Sequence, residues 1–208
     1  MLANSLQVRG TPASGKSMLA ELLAQHIRQK EPAVHVIMID AWLPDMVMAI
    51  GGWEYFLETT KRWVKSEETV FIFDEAQLSY EDTGLWNSFF KSMHIYDNRY
   101  AIIFASYGSP TSRINIKGTP IIIPDPQRVT LRPVDHGDDL PAVGLFFNRR
   151  EFDDLVSKQY PSSQYHFHSS FFNALFDITN GHVGAIHDFT MVVIAHDVGS
   201  FVSTEAAI

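Results

Sequence analysis

Gly10-Thr11-Pro12-Ala13-Ser14-Gly15-Lys16-Ser17 satisfies every fixed position of the phosphate-binding pattern G-x-x-x-x-G-K-[ST]. Each fixed position has a physical task. The glycines let the backbone turn tightly and come close to a polyanion. Successive main-chain N–H groups then converge into an anion nest, and the helix that follows adds the positive end of its dipole. The expected nucleotide-binding residues are therefore Gly10, Thr11, Pro12, Ala13, Ser14, Gly15, Lys16, Ser17 and, at the first helical turn, Met18. Lys16 reaches the outer phosphates as a catalytic cation, and the Ser17 hydroxyl is a ligand for Mg²⁺.

The flanks suit this reading. Leu6-Gln7-Val8 reads as a short strand before the loop. Met18 to Ile27 reads as an amphipathic helix after it, with Leu19, Leu22, Leu23 and Ile27 on one apolar face. Strand, loop and helix form the setting the pattern requires. A Gly/Ser-rich turn that merely caps a helix is the plainer alternative.

Further along, Val34 to Ile39, Thr69 to Phe73 and Tyr100 to Ser106 are strands apolar almost throughout. Such runs fit central parallel strands covered on both faces. Between them lie helical stretches. One runs from Ala41 to Glu68, broken near Gly51-Gly52, with Trp53, Phe56, Leu57 and Trp63 after the break. Another carries Leu85, Trp86, Phe89, Phe90 and Met93. Strands alternating with helices indicate an α/β fold with a mostly parallel sheet, and the phosphate-binding pattern after its first strand makes a P-loop NTPase three-layer sandwich the expected form.

From Ile114 to Asp139 the composition shifts to prolines and Asp/Gly clusters, with one strand expected at Arg128 to Leu131. Gly144 to Phe147 reads as a short strand. Asn148 and Glu151 then have capping-box spacing and open a helix carrying Phe152, Leu155 and Val156. The remainder is helical, punctuated at Asn180-Gly181. The expected organisation is an NTPase core over 1–143 and a small helical, lid-like subdomain over 144–208.

Hydrolysis requires a metal and a positioned water as well as a phosphate nest. Asp74-Glu75 ends an apolar strand, at the sheet edge where ligands bind in open α/β folds. Asp74 is the expected second Mg²⁺ residue and Glu75 the expected general base. A solvated acidic turn is the plainer reading of the pair. Ser106 ends the next apolar strand, where a polar residue can sense the terminal phosphate or simply cap the strand exit. Asn180-Gly181-His182-Val183-Gly184 reads equally as a helix cap followed by a helix start, or as a turn that brings His182 to the nucleotide. Arg113, Arg149 and Arg150 are candidate phosphate fingers and also ordinary surface charges. His166 and His168 could share a strand face as metal ligands, although no further ligand accompanies them.

The bulk numbers set limits. The chain has 208 residues and no cysteine, so no disulfide forms. A formal net charge of −8 argues against broad nucleic-acid binding by this segment, though not against a local nest with one lysine. No apolar run has the length of a membrane span. The first strand begins almost at once and no targeting segment precedes it, as expected of a domain from a longer intracellular protein.

Four stretches occur in order: Val8 to Ser17, Phe73-Asp74-Glu75-Ala76-Gln77, Ser106-Tyr107-Gly108-Ser109-Pro110, and Gly181-His182-Val183-Gly184-Ala185. In this arrangement the chain resembles the P-loop NTPase domain of fungal and oomycete crinkler-type proteins. The resemblance implies an ATPase core related to the AAA and STAND classes, with ATP as substrate and Mg²⁺ as cofactor. It implies a site built on Lys16, Ser17, Asp74 and Glu75, with Ser106 at the sensor position. Some such proteins are secreted effectors acting in the nucleus or cytoplasm of a host cell. The translocation segment and nuclease motif that accompany this module in the family are not in this chain. A STAND-type nucleotide-gated switch and a P-loop small-molecule kinase remain as alternative functions. A finger contributed by a second copy would make the active form a homo-oligomer.

Overall fold

The unbroken apolar runs become strands buried on both faces, because only a layer of helix on either side hides such residues from water. The computed structural model describes residues 4–40, 52–53, 55, 67–80, 82–93, 98–106, 123–135, 137, 141–162, 164–168 and 170–205. In it β1 (Ser5–Gly10), β2 (His35–Ile39), β3 (Thr69–Phe73), β4 (Arg99–Ser106) and β5 (Arg128–Val129) form one five-stranded sheet in the order β2-β3-β4-β1-β5. Every pairing is parallel. β4 therefore lies between β1, which leads into the Gly10 to Ser17 loop, and β3, which leads into Asp74-Glu75. The α/β parallel-sheet fold read from the sequence is the fold observed.

The chain divides into two compact units. The first comprises 1–12 and 16–143; the second comprises 144–208 together with the loop crown 13–15.

In the first unit one face of the sheet carries Phe71, Phe73, Ala101 and Ile103, packed with Trp53, Leu85, Phe89, Phe90 and Met93. Phe73 meets the rings of Trp53, Phe89 and Phe90 edge-on at centroid distances of 6.4, 6.3 and 5.1 Å. Edge-to-face pairs of this kind add about 0.5–1.5 kcal/mol each beyond area burial. The aromatic stripe is helical, but Leu85–Phe90 is a π-helical turn rather than α. The wider turn lets the adjacent residues Phe89 and Phe90 both be buried. Asp82 sets its start: Oδ1 accepts from the Leu85 N–H at 3.0 Å, and Oδ2 accepts from Trp53 Nε1 at 2.5 Å.

α1 (Lys16–Lys30) packs beside β1, β2 and β4. Here the expected face is corrected. The buried positions are Lys16, Ala20 and Ala24, while Leu19 and Leu22 are 39% and 53% exposed. Leu23 and Ile27 are half-buried. Alanines at i and i+4 bring the helix axis close to the sheet, and that close approach turns the bulkier leucines to the flank.

In the second unit α2 (Arg149–Gln159), α3 (Phe171–Thr179) and α4 (Val183–Glu205) pack around Phe152, Leu175 and Ile186. The capping box at the start of α2 is present in both directions. Asn148 Oδ1 accepts from the Glu151 N–H at 3.0 Å, and Glu151 Oε2 accepts from the Asn148 N–H at 2.8 Å. Gly144 to Phe147 is not a strand. Gly144 makes an isolated bridge, Leu145 is buried, and the Phe147 N–H bonds to the Gly181 carbonyl at 2.9 Å. Asn180 ends α3 in the left-handed region, φ 53°. His166 and His168 lie in irregular chain, not on a strand. Among the described residues no three His, Asp or Glu side chains gather as a metal site, and no helix is long and apolar enough to cross a membrane. The region 41–66, apart from Gly52, Trp53 and Tyr55, lies outside the described residues, as do Arg113 and 107–110.

Candidate functional site

Parallel strands deliver their carboxyl ends to one edge of the sheet. β1 ends at Gly10 directly opposite Ser106, the last residue of β4. β3 ends at Phe73, opposite Ile103 of β4 and Ile39 of β2. The loop, the acidic pair and Ser106 therefore share that edge.

The loop has the backbone its sequence calls for. Gly15 has φ +85°, a conformation that only glycine adopts without strain, and Ala13 has φ 57°. Lys16 opens α1 and is only 4% exposed. Its Nζ donates to the Thr11 carbonyl at 2.8 Å and to the Gly10 carbonyl at 3.4 Å. Burial pushes its ammonium pKa below the usual 10.5, while the negative charges of Glu75 and then Asp74 pull it back up.

Ser14 is 2% exposed and its Oγ has no hydrogen-bond partner among the described residues. Ser17 and Met18 are exposed on the first turn of α1, Met18 by 66%. Asp74 is 8% exposed. Its N–H continues the ladder to the Ile39 carbonyl at 2.9 Å, and its Oδ1 accepts from the Glu75 N–H at 2.9 Å. Glu75 sits in the left-handed region at φ 49°, ψ 35°. For a side chain of this kind that conformation costs on the order of 1 kcal/mol, and such strain persists where the surroundings demand it. An aliphatic hydroxyl (Ser17) and a carboxylate (Asp74) are hard oxygen donors. They fit Mg²⁺, which takes one or two protein oxygens and completes its shell with phosphate and water.

Other expected residues have different partners. His182 Nδ1 accepts from the Ala185 N–H at 3.2 Å and its ring lies 5.0 Å from Phe146, so its side chain caps α4. Arg149 bonds Asp153 at 2.9 Å and Asn173, and its guanidinium lies over the Phe152 and Phe176 rings. Those contacts hold α2 to α3. Arg150 is exposed.

Two residues of the motifs quoted above make contacts that the sequence reading did not assign to them. Gly184 donates its N–H to the Ala13 carbonyl at 2.9 Å, so the first turn of α4 rests on the loop crown within the second unit. Gln77 joins Glu75 to Ser106: its Nε2 donates to Glu75 Oε2, and its Oε1 accepts from the Ser106 N–H at 2.9 Å. The signal for Gln77 was its place two residues after Glu75, on the far side of a tight turn. Gly184 had no signal beyond its neighbourhood to His182.

No family model matches the chain, and no curated protein matches it. Among solved structures 32 chains match. One is domain III of the replication initiation protein DnaA from Thermotoga maritima, at 14% identity and a TM-score of 0.53, over 95% of this chain and 78% of that one. At that identity the likeness concerns the fold alone, the α/β fold with a parallel five-stranded sheet described above.

Proposed function

We propose that this chain binds a Mg²⁺-nucleoside triphosphate, with ATP as the substrate, and hydrolyses it to diphosphate and inorganic phosphate. The observation that carries the reading is the buried Lys16, held by the Gly10 and Thr11 carbonyls at the sheet edge to which β3 delivers Asp74 and Glu75. In this reading the N–H groups of Gly10 to Ser17 grip the phosphates, and Lys16 gives up loop carbonyls for phosphate oxygens. Ser17 and Asp74 hold the metal, which when bound neutralises charge on the phosphate oxygens. Glu75 takes a proton from water as the water oxygen bonds to the terminal phosphorus. The bond from that phosphorus to the bridging oxygen breaks, and the diphosphate leaves with its electrons. Ser106 lies at the sheet edge where the terminal phosphate would be sensed.

The test is phosphate release with each nucleoside triphosphate, with and without DNA, alongside direct nucleotide binding. Lys16→Ala is expected to abolish tight binding. Glu75→Gln is expected to bind normally and hydrolyse about 100-fold more slowly. A wild-type protein that binds no Mg²⁺-triphosphate overturns the proposal.

A second reading, a nucleotide-gated switch with little turnover, is favoured by the bond between Gly184 and Ala13. Through it, occupancy of the loop would be felt at the start of α4. Retained diphosphate after purification supports the switch, and fast multiple turnover refutes it. The kinase reading needs free arginines near the phosphates, and Arg149 is engaged elsewhere. Membership in the crinkler-type group and action inside a host cell rest on the order of the four motifs, and a homo-oligomeric active form rests on a second copy contributing the arginine finger.

A further inference from the structure

Of the described groups at this edge of the sheet, the Gln77 side chain has no part in gripping phosphate or metal. It nevertheless bridges two residues that do have assigned tasks. We propose that Gln77 is a positioning residue for hydrolysis: its amide holds the Glu75 carboxylate and ties it to the end of β4. This inference rests on the triphosphatase reading and deepens it.

The chemistry of the bridge is specific. The Ser106 N–H can only donate and the Glu75 carboxylate can only accept, so the amide has one orientation, oxygen toward Ser106 and nitrogen toward Glu75. β3 ends at Phe73 opposite Ile103, so Ser106 runs three residues beyond the ladder on that side. The Gln77 carbonyl takes the place of the missing strand partner. On the opposite side Ser106 pairs with Gly10, the first residue of the phosphate loop. Glutamate at position 77 would lack the donor, lysine would lack the acceptor, and asparagine is one methylene shorter.

The local backbone serves the same end. Glu75 is left-handed, and the 3₁₀ turn Ala76–Ser79 begins directly after it. Its Leu78 N–H bonds to the Glu75 carbonyl at 3.0 Å. That reversal puts the position-77 side chain beside the position-75 side chain, which an extended chain would send to the same face two residues apart without folding back. Holding Oε2 leaves Oε1 as the oxygen available to a water. It also means that a displacement of the β4 end, next to the loop's first residue, is felt by the base.

The experiment uses the whole chain and four variants: Gln77→Met, Gln77→Glu, Glu75→Gln and the double variant Gln77→Met/Glu75→Gln. Met matches the length of Gln and forms neither bond; Glu keeps the acceptor for Ser106 and loses the donor to Glu75. With Mg²⁺-ATP, Gln77→Met and Gln77→Glu are each expected to lower kcat by about 10-fold or more, with the dissociation constant for nucleotide within about 2-fold of wild type. In the Glu75→Gln background the Met substitution is expected to cost less than about 2-fold more, because two residues acting through one carboxylate are not additive. Hydrogen exchange at the Ser106 amide is expected to speed up by about 10-fold in Gln77→Met and to stay near wild type in Gln77→Glu. Should Gln77→Met fail to fold, Gln77→Glu carries the kinetic test alone. Wild-type kcat in both Gln77 variants, or losses that multiply in the double variant, overturn the positioning role and leave the triphosphatase reading standing. A wild-type protein that binds but never turns over overturns both.

Discussion

Substituting Gly184 by alanine sets two physical effects against each other. Gly184 occupies the first turn of a 23-residue helix, where alanine is intrinsically favoured over glycine by up to about 1 kcal/mol. On propensity alone the variant is more stable. The structure gives the opposite sign. A Cβ at this position would stand 2.6 Å from the Ala13 Cβ and 2.7 Å from the Ala13 carbonyl oxygen. Ordinary contact begins at 3.4 Å, so the neighbour must retreat by about 0.8 Å. Neither neighbour is the end of a flexible side chain; one is a methyl rooted on the backbone and the other is the backbone itself. Overpacking of that kind costs about 1–3 kcal/mol, which outweighs the gain in propensity. The expected net loss is about 1 kcal/mol, read in thermal unfolding as a fall in Tm of about 2–4 °C. Ala13 also lies within the loop. Moving it misaligns N–H groups that would face phosphate, and a hydrogen bond to a charged group is worth enough for about a 10-fold loss of nucleotide affinity. Calorimetric binding of ATP, or of its diphosphate, measures that second effect. Adding Ala13→Gly removes the 2.6 Å contact and leaves the 2.7 Å one, so partial recovery is expected. A Gly184→Ala protein with higher Tm and unchanged affinity refutes the reasoning.

Three further outcomes are expected. The folded chain holds the Lys16 proton less tightly than the usual 10.5, so over the range just below that value the unfolded chain binds more protons and stability rises with pH. At lower pH the penalty is constant, and Lys16→Met should abolish the alkaline rise in denaturant titrations run at several pH values. Asn148→Ala removes the acceptor of a two-way capping box and should cost about 1 kcal/mol in urea unfolding, with Asn148→Asp close to neutral. Gly181→Ala places a methyl at φ +82° and 2.2 Å from the Phe147 carbonyl oxygen, so a loss of about 2–4 kcal/mol is expected in the same assay. A loss under 1 kcal/mol there would contradict the close approach of these two backbones.

The strands and the loop were legible because their signals are local. Thr69 to Phe73 is apolar at every position after the first, and such a run is hidden only inside a covered sheet. The Gly10 to Ser17 pattern is legible in the same way, and its Gly15 meets a backbone demand at that same residue, φ +85°. The face of α1 was misread because amphipathicity was weighed by side-chain size. Ala20 and Ala24 are fully buried because they are small, and the size scale hides the line they form. Gly144 to Phe147 looked like a strand from its apolar content. Its buried Leu145 and the bond from Phe147 to Gly181 satisfy the same content without a ladder. Arg149 read equally as a phosphate finger or a surface charge, and its bond to Asn173 on α3 joins residues too distant in the chain for a local pattern to pair.

By itself the sequence determined the α/β class, the strands that end at Gly10 and before Asp74-Glu75, and the capping box, since each follows from residue types close together in the chain. The order β2-β3-β4-β1-β5 was the decision of the tertiary structure, as were the bridge from Glu75 through Gln77 to Ser106 and the seat of Gly184 on Ala13. Each of these joins groups 29 or more positions apart, or depends on where a side-chain amide points. Which distant groups meet is set by how the whole sheet buries its apolar faces, and no local pattern of residue types records that outcome.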